Sequence, residues 1–399
     1  MTKDVGGSTA EAELAALKPP SNRAAAVTAA EYEARLDKAR GLMAGLGADA
    51  LLIGAGASLR YFTGVGWGAT ERLVALVLPR RGRPIMVCPA FELGSLEASL
   101  VIEADIRLWE EDESPYDLAA GAALEAGAVL ALDPAATFLT FNALRDTDTN
   151  LRIVDGAPVV NGCRQVKSAA ELALMTEAKQ MTLLAHRDAA RMLAPGVKAS
   201  EVKRFLDTAH RTLGADNGNS FCAVQFANAT AYPHGLPGDQ TMEEGDLVLI
   251  DTGCLVQGYN ADITRTYVFG EPTDEQRRIW DIEHAAQAAA FAAVRPGVAC
   301  EAIDATARGV LESHGLGPDY RLPGLPHRTG HGIGLSIHEP PYLVRGDKTP
   351  LAPGMCFSNE PMIVLPDQFG IRLEDHFYVT ETGAAWFTEP SPSIDEPFG

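Results

Sequence analysis

The 399-residue sequence has no paired-cysteine spacing, no long apolar run and no excess of positive charge. Its six cysteines, Cys88, Cys163, Cys222, Cys254, Cys300 and Cys356, stand singly with no CxxC among them. That argues against a disulfide framework or a thiolate zinc site and leaves buried, reduced thiols. No apolar stretch approaches the ~20 residues that a membrane-spanning helix needs. The start, "MTKDVGGSTAEAELAALKPPSNRAAAV", lacks the basic beginning, apolar core and cleavage site of a secretory signal. A cytoplasmic protein is the simple expectation, with no membrane partner. Lys and Arg number 33 against 53 Asp and Glu, a formal net charge of −20. Nucleic-acid binding rests on basic patches and is therefore disfavoured.

The rest of the composition, 46% hydrophobic and 22% charged, is that of a globular protein. The length suits two or three domains. Residues 1–27, rich in Ala, Gly, Pro and Ser, read as a flexible leader. Thr28 then caps a helix over "AAEYEARLDKARGLMAGLG". The segments "ADALLIG", "RYFTG", "RLVALVLP", "RPIMVCP", "EADIRLW" and "AVLALDP" read as strands. "FELGSLEASL" and "DLAAGAALEAG" read as helices between them. This alternation predicts a small α/β domain over 28–158.

A second regime follows over 159–399. Ser168 with Glu171 forms a capping-box start to a helix of more than twenty residues. "ASEVKRFLDTAHRTLG" is helical, "FCAVQFA", "LVLIDTG" and "ADITRTYVF" are strands, and a helix pair covers 274–294 and 300–314. Gly-rich strand segments close the chain. The expectation is an α+β domain.

The aspartates in "LVLIDTGCLVQGYNADITRTY" stand out, because strands disfavour Asp and a buried carboxylate is costly unless paired or metal-bound. With Gln257-Gly258-Tyr259-Asn260 as the turn, Asp251 and Asp262 fall on adjacent antiparallel strands. Cross-strand neighbours lie ~4.5–5.5 Å apart, and two carboxylates that close repel unless a cation or a shared proton intervenes. Either alone is better read as a turn cap; the pair favours a metal site. "PHRTGHGIGLSIHEPP" supplies His327, His331 and His338. Three glycines make a helix there improbable, and their flexibility is what turns His331 and His338 the same way. "FSNEPMIV" adds Glu360, and "GIRLEDHFYV" adds Arg372 and Glu374, which share a strand face while Asp375 takes the other. Glu374 beside Arg372 could equally be an ion pair. The total, two Asp, one His and two Glu, suits two divalent cations ~3.5–4 Å apart with a hydroxide between them. With histidine the minority ligand, manganese or cobalt suits the set as well as zinc.

"AYPHG", "DTGCLVQGYNADITRTY", "GHGIGLSIHEPP", "NEPMIV" and "GIRLED", in this order and spacing, resemble the pita-bread metallopeptidases, the family of methionine aminopeptidases, aminopeptidase P, prolidase and creatinase. The likeness spans residues 160–399, and the preceding domain resembles the creatinase/prolidase-type N-terminal domain. "LRYFTGVGWGATERL" looks like the bacterial Xaa-Pro dipeptidases. The resemblance implies that Asp251 holds one metal, His331 and Glu360 the other, and Asp262 and Glu374 bridge both. It implies that His234 and His338 bind substrate and move protons, that His327 lines the proline side, and that Arg372 orients the carboxylates. A tyrosine that many relatives carry after the Glu360 counterpart is replaced here by Val364.

The activity so implied is hydrolysis of the peptide bond before a C-terminal proline. The bridging hydroxide attacks the carbonyl, His338 supports the oxyanion and Glu360 carries the proton. Such an enzyme must also recognise the proline carboxylate, and Arg72, with Trp67 as an aromatic wall, is the expected clamp. A homodimer is implied by the resemblance. The alternatives are an Xaa-Pro aminopeptidase acting on longer peptides, a small-molecule hydrolase of the same fold, and a metal-free binding module.

Overall fold

The computed structural model describes residues 2–121 and 127–399 and divides the chain into two compact units. One is Val27–Arg164. The other combines Met1–Ala26 with Gln165–Gly399.

The expectation of a flexible leader is corrected by this division. The Thr2 N–H donates to the Gly270 carbonyl at 3.1 Å, Lys3 to Asp395 at 2.7 Å and Gly6 to Ala190 at 2.9 Å. Helix α1 (Ala10–Ala16), capped by the Thr9 hydroxyl, packs on the helices Ala169–Arg191 and Ala199–Leu213 of the same unit. Val5 and Leu17 are buried, Arg23 pairs with the buried Glu177, and the Ala24 N–H donates to the same carboxylate at 2.8 Å. Small residues and prolines allow disorder, but here paired backbone groups and two apolar anchors tie the segment down.

The smaller unit begins with α2 (Ala29–Leu46), β1 (Ala50–Gly54), α3 (Ala57–Thr63), β2 (Ala75–Pro79) and β3 (Ile85–Pro89). It continues with α4 (Leu93–Ser99), β4 (Asp105–Trp109), α5 (Pro115–Ala120), β5 (Val129–Leu132), α6 (Phe138–Arg145), β6 (Arg152–Asp155) and α7 (Ala157–Arg164). Its six strands form one mixed sheet in the order β4-β3-β2-β1-β5-β6. Strands β1, β2 and β3 are buried along almost their whole length, as expected of a sheet covered on both faces. The "RYFTG" segment is helical rather than extended. It lies in and just after α3, which Gly64 ends in the left-handed region (φ 84°). Tyr61 and Phe62 are β-formers, but both are buried and the Tyr61 hydroxyl donates to the Cys163 carbonyl at 3.0 Å. Tertiary packing overrides their local preference. Of the helix read in "DLAAGAALEAG", the start is α5; residues 122–126 lie outside the described residues. Because α7 packs on α2, the unit ends at Arg164 rather than 158.

The larger unit opens with α8 (Ala169–Arg191), whose Ser168–Glu171 capping box is formed as read, and α9 (Ala199–Leu213). Strands β7 (Asn219–Phe226), β8 (Leu247–Val256), β9 (Tyr259–Asn260) and β10 (Ile263–Val268) follow. Next come α10 (Asp274–Ala293) and α11 (Cys300–Ser313). The last strands are β11 (Gly330–Gly332), β12 (Glu339–Leu343), β13 (Cys356–Asn359), β14 (Met362–Leu365), β15 (Phe369–Arg372), β16 (Asp375–Val379) and β17 (Ala384–Trp386).

One sheet runs β10-β8-β7, a second runs β12-β11-β13-β16-β17, and β14 and β15 form a hairpin. Helices α8 and α9 pack on the first sheet; α10 packs on β13, β14 and β15, and α11 on β12. Ile279, Trp280, Ala286 and Ala290 of α10 join Phe357, Ile363, Ile371 and Phe377 in one buried core. Each large side chain there contributes about 1.5–3 kcal/mol by leaving water. A bridge between Thr264 and Glu374 joins β10 to the chain between β15 and β16. No helix among the described residues is long and apolar enough to cross a membrane.

Candidate metal centre

Asp251 is on β8, paired across the ladder with Thr264 of β10, and Asp262 immediately precedes β10. The β8–β9 hairpin turns on Gln257 and Gly258, both at positive φ, and the Asp216 carboxylate accepts both of their N–H groups at 2.9 and 2.7 Å. A two-residue turn with both φ positive matches the twist of its strands. Gly253 lets the return strand close in, since a Cβ there would overlap the Ala261 carbonyl oxygen.

His331 is in the middle of β11. A Cβ on the neighbouring Gly330 would strike the Ser358 carbonyl, so glycine is what lets β11 lie against β13. The His331 Nδ1 faces the Gly332 carbonyl at 3.0 Å. That carbonyl accepts only from an N–H, so in the neutral ring the lone pair is on Nε2. Nε2 in turn lies 3.1 Å from Glu360 Oε1 and 3.6 Å from Asp262 Oδ2. The His331 and His338 rings are edge-on at 4.2 Å, across a register shift between β11 and β12. Glu360 follows β13, accepting a hydrogen bond from the Ser358 hydroxyl at 3.1 Å. Glu374 lies between β15 and β16, and its Oε2 accepts from the Thr264 hydroxyl at 2.8 Å. Arg372 donates to the Asp251 carboxylate and, at 3.1 Å, to the Thr264 hydroxyl.

Four carboxylates in one low-dielectric volume perturb one another. Burial pushes Asp251 up to about 7; Arg372 pulls it back, while Asp262 and Glu360 push it further. Burial and the same negative neighbours raise Glu374 well above the usual carboxylate range. Against burial, the hydrogen bond and charge of His331 hold Glu360 down at about 2. Against burial likewise, Asp262 and Glu360 raise His331 to about 9. So many charges cannot all ionise together unless cationic charge beyond Arg372 is supplied.

The residues fit divalent metals on that ground and on a second. The buried Asp251 Oδ1 and Glu374 Oε1 have no hydrogen-bond partner, and His331 Nε2 faces only carboxylate oxygens. Ligand-capable atoms of His331, Glu360 and Glu374, and of Asp262, His331 and His338, lie within 4.8 Å of one another. An oxygen-rich set with one imidazole suits manganese, cobalt or zinc.

The structure thus gathers Asp262, His331, His338, Glu360 and Glu374, with Asp251 tied in through Arg372 and Thr264. The half-buried His327 hydrogen-bonds through Nδ1 to the Arg328 carbonyl at 2.7 Å, and its Nε2 is unpartnered. Burial lowers its pKa, opposed by the Glu360 charge. His234 is on an exposed loop, where it lines a cavity of about 260 Å³ with Ser200, Lys203 and Gln225. Arg72 belongs to the smaller unit; it is exposed, bonded to Glu111 at 2.8 Å and to Glu71. Val364 is buried in β14.

Several residues escaped the sequence reading. Thr264 and Ser358 are the hydroxyls that seat Glu374 and Glu360. Arg265 reaches the Glu374 carbonyl at 3.0 Å and the Asp375 carboxylate at 2.7 Å, and Gln287 of α10 reaches Asp375 at 3.2 Å. His376 is buried beside Glu374, with burial and the Lys179 charge holding it neutral. The period-two pattern of "EDHF" placed His376 on the Glu374 face and was the available signal.

Buried carboxylates and an imidazole, gathered between helix-backed sheets, form a candidate divalent-metal centre. Residues 173–381 match the model of metallopeptidase family M24, and residues 35–166 match that of the creatinase/prolidase N-terminal domain. A probable dipeptidase, PepE, of Mycobacterium tuberculosis is 36% identical over 357 residues, 88% of this chain and 93% of that one. The crystal structure of dipeptidase PepE from Mycobacterium ulcerans shares 35% identity and a TM-score of 0.84, covering 92% of this chain and 97% of its own. A recombinant prolidase from Thermococcus sibiricus gives a TM-score of 0.82 at 29% identity, over 90% and 97% of the two chains. The chain belongs to metallopeptidase family M24, with its pita-bread α+β fold behind a creatinase-type N-terminal domain.

Proposed function

We propose that the protein is an Xaa-Pro dipeptidase with two divalent metal ions, manganese first among the candidates, held by Asp251, Asp262, His331, Glu360 and Glu374. The observation that carries this reading is the set of buried ligand atoms left without protein partners in a volume holding four carboxylates. The likeness to PepE and to a prolidase over nearly the whole chain supports the substrate class.

A metal pair supplies a water of lowered pKa and an electrophile for the scissile carbonyl. The chain's own residues do the rest. Glu360, kept anionic by His331, takes a proton at its carboxylate and returns it to the departing proline nitrogen. His338, open to solvent at the edge of the cluster, donates a hydrogen bond to the developing oxyanion. Its pKa is lowered by burial and by the neighbouring His331 charge. Val364 has no proton to give, so no donor is assigned at that position. His327, with an unpartnered Nε2, and His234 contact the substrate. Arg72 is the proposed clamp for the proline carboxylate, and a homodimer the proposed assembly. Proline fixes its φ and lacks an N–H, so a pocket rather than backbone pairing must recognise it.

Chelated protein refilled separately with manganese, zinc and cobalt and assayed on Ala-Pro, Leu-Pro and Ala-Pro-Ala tests the reading. Hydrolysis of the dipeptides alone supports it. Cleavage of the tripeptide moves the chain to the aminopeptidases, and no cleavage with any metal removes the proposal.

A further inference from the structure

We infer that His376 is a further nitrogen ligand of the metal centre, on the arm formed by Asp262 and Glu374. The inference rests on the two-metal reading above. His376 is fully buried, and both ring nitrogens lack a hydrogen-bond partner. A neutral imidazole carries one donor and one acceptor, and leaving both unused in the interior is costly. A core histidine with only a packing role would have found a partner, as His210 does with Asn219 at 2.6 Å and Thr182 at 3.1 Å.

The direction of the ring is set by the strands. His376 is two residues beyond Glu374 and so shares its face. Across the ladder it pairs with Ser358, whose hydroxyl donates to Glu360 and accepts the His331 N–H at 2.9 Å. That face is the one that carries the ligands. The separation is informative too. His376 Nε2 is 3.8 Å from Glu374 Oε1, itself unpartnered. This is too long for a hydrogen bond. Two donors each ~2.1 Å from one cation stand ~3.0 Å apart at a right angle and ~4.2 Å apart when opposite. Ligand atoms of Asp262, Glu374 and His376 all lie within 4.8 Å of one another. Two orphaned atoms at cation-sharing distance, with a third ligand at hand, account for each other.

The test is calorimetric titration of the chelated full chain with Mn²⁺ and Co²⁺, for the wild type, His376→Leu and His376→Gln. The wild type is expected to take two equivalents. In His376→Leu one of the two should bind ~10–100-fold more weakly, with a changed visible spectrum of the cobalt form and partial recovery in His376→Gln. Two equivalents bound by all three proteins within twofold, with the same cobalt spectrum, overturn the inference and leave the two-metal reading standing. A wild type that binds no metal overturns both. Should the variants fail to fold, proton NMR of the cobalt-loaded wild type decides. Hyperfine-shifted exchangeable N–H signals from two imidazole rings support the inference, and signals from one ring overturn it.

Discussion

Arg372 is hydrogen-bonded to the Asp251 carboxylate, and the same guanidinium reaches the Thr264 hydroxyl that seats Glu374. One fixed cation therefore holds one carboxylate directly and meets the other through a shared hydroxyl. Both partners are largely withdrawn from water, so the pair cannot be treated as a surface salt bridge. Removing Arg372 leaves Asp251 facing Asp262 and Glu360 with no fixed counter-charge.

Arg372→Leu should destabilise the chelated protein by about 3–5 kcal/mol, the usual cost of breaking a buried pair from one side. Added Mn²⁺ should then raise the melting temperature of the variant more than that of the wild type, because the ion takes over neutralisation. Thermal unfolding with and without Mn²⁺ checks this. An equal rise in both proteins would mean that Arg372 does not balance the cage.

The chelated protein should lose stability as pH rises from 6 to 9. Asp251, at about 7 when folded and ~4 when unfolded, holds a native-state proton in between, and that contribution disappears as pH rises through 7. His331, at about 9 when folded and ~6.5 when unfolded, contributes fully below ~6.5 and is lost as pH rises through 9. The two act in the same direction. Urea midpoints at pH 6, 7.5 and 9 would show the fall, and a flat or rising series would contradict it.

Acid should act through a different residue. His186 is fully buried with Nε2 at 3.0 Å from the Ile263 carbonyl, and burial lowers it to about 3. Between ~6.5 and 3 the unfolded chain binds a proton that the native ring refuses, so stability falls as pH drops through that window. His186→Gln, which retains a donor, should lose less stability between pH 7 and 4 than the wild type when both are measured by urea unfolding.

Gly253→Ala should cost at least about 1–3 kcal/mol, since the new methyl group overlaps the Ala261 carbonyl, one residue from Asp262. A folded variant should also bind metal more weakly, because the return strand must shift. Metal affinity equal to wild type would show that Asp262 does not depend on this close approach.

Arg265 and Asp375 form an ion pair that is 1% and 0% exposed, braced by Gln287. Arg265→Met alone should cost about 3–5 kcal/mol, and Arg265→Met with Asp375→Leu clearly less, because the double change leaves no charge stranded. Urea unfolding of the two variants separates the cases.

The segments that carry the clustered carboxylates and imidazoles were legible because each breaks a local rule. Asp251 and Asp262 interrupt apolar segments, and three histidines gather among glycines. Helix α8 was legible through its Ser168–Glu171 capping box. "RYFTG" was misread because its β-forming aromatics are held in a helix by burial of Tyr61 and Phe62, which no local pattern reports. The first 26 residues were misread for the converse reason. Their composition permits disorder, and only acceptors such as the Gly270 and Ala190 carbonyls, contributed from far along the chain, fix them in place.

The sequence by itself determined which acidic and histidine residues interrupt the strand pattern and beside which strands they fall, since period and composition are local properties. Only the tertiary structure decided which of them share one volume. It set His331 3.1 Å from Glu360, seated Glu374 on the Thr264 hydroxyl, and placed an unpartnered His376 beside Glu374. Those relations join residues up to 110 positions apart, and burial and charge at such a meeting point depend on every strand that contributes to it.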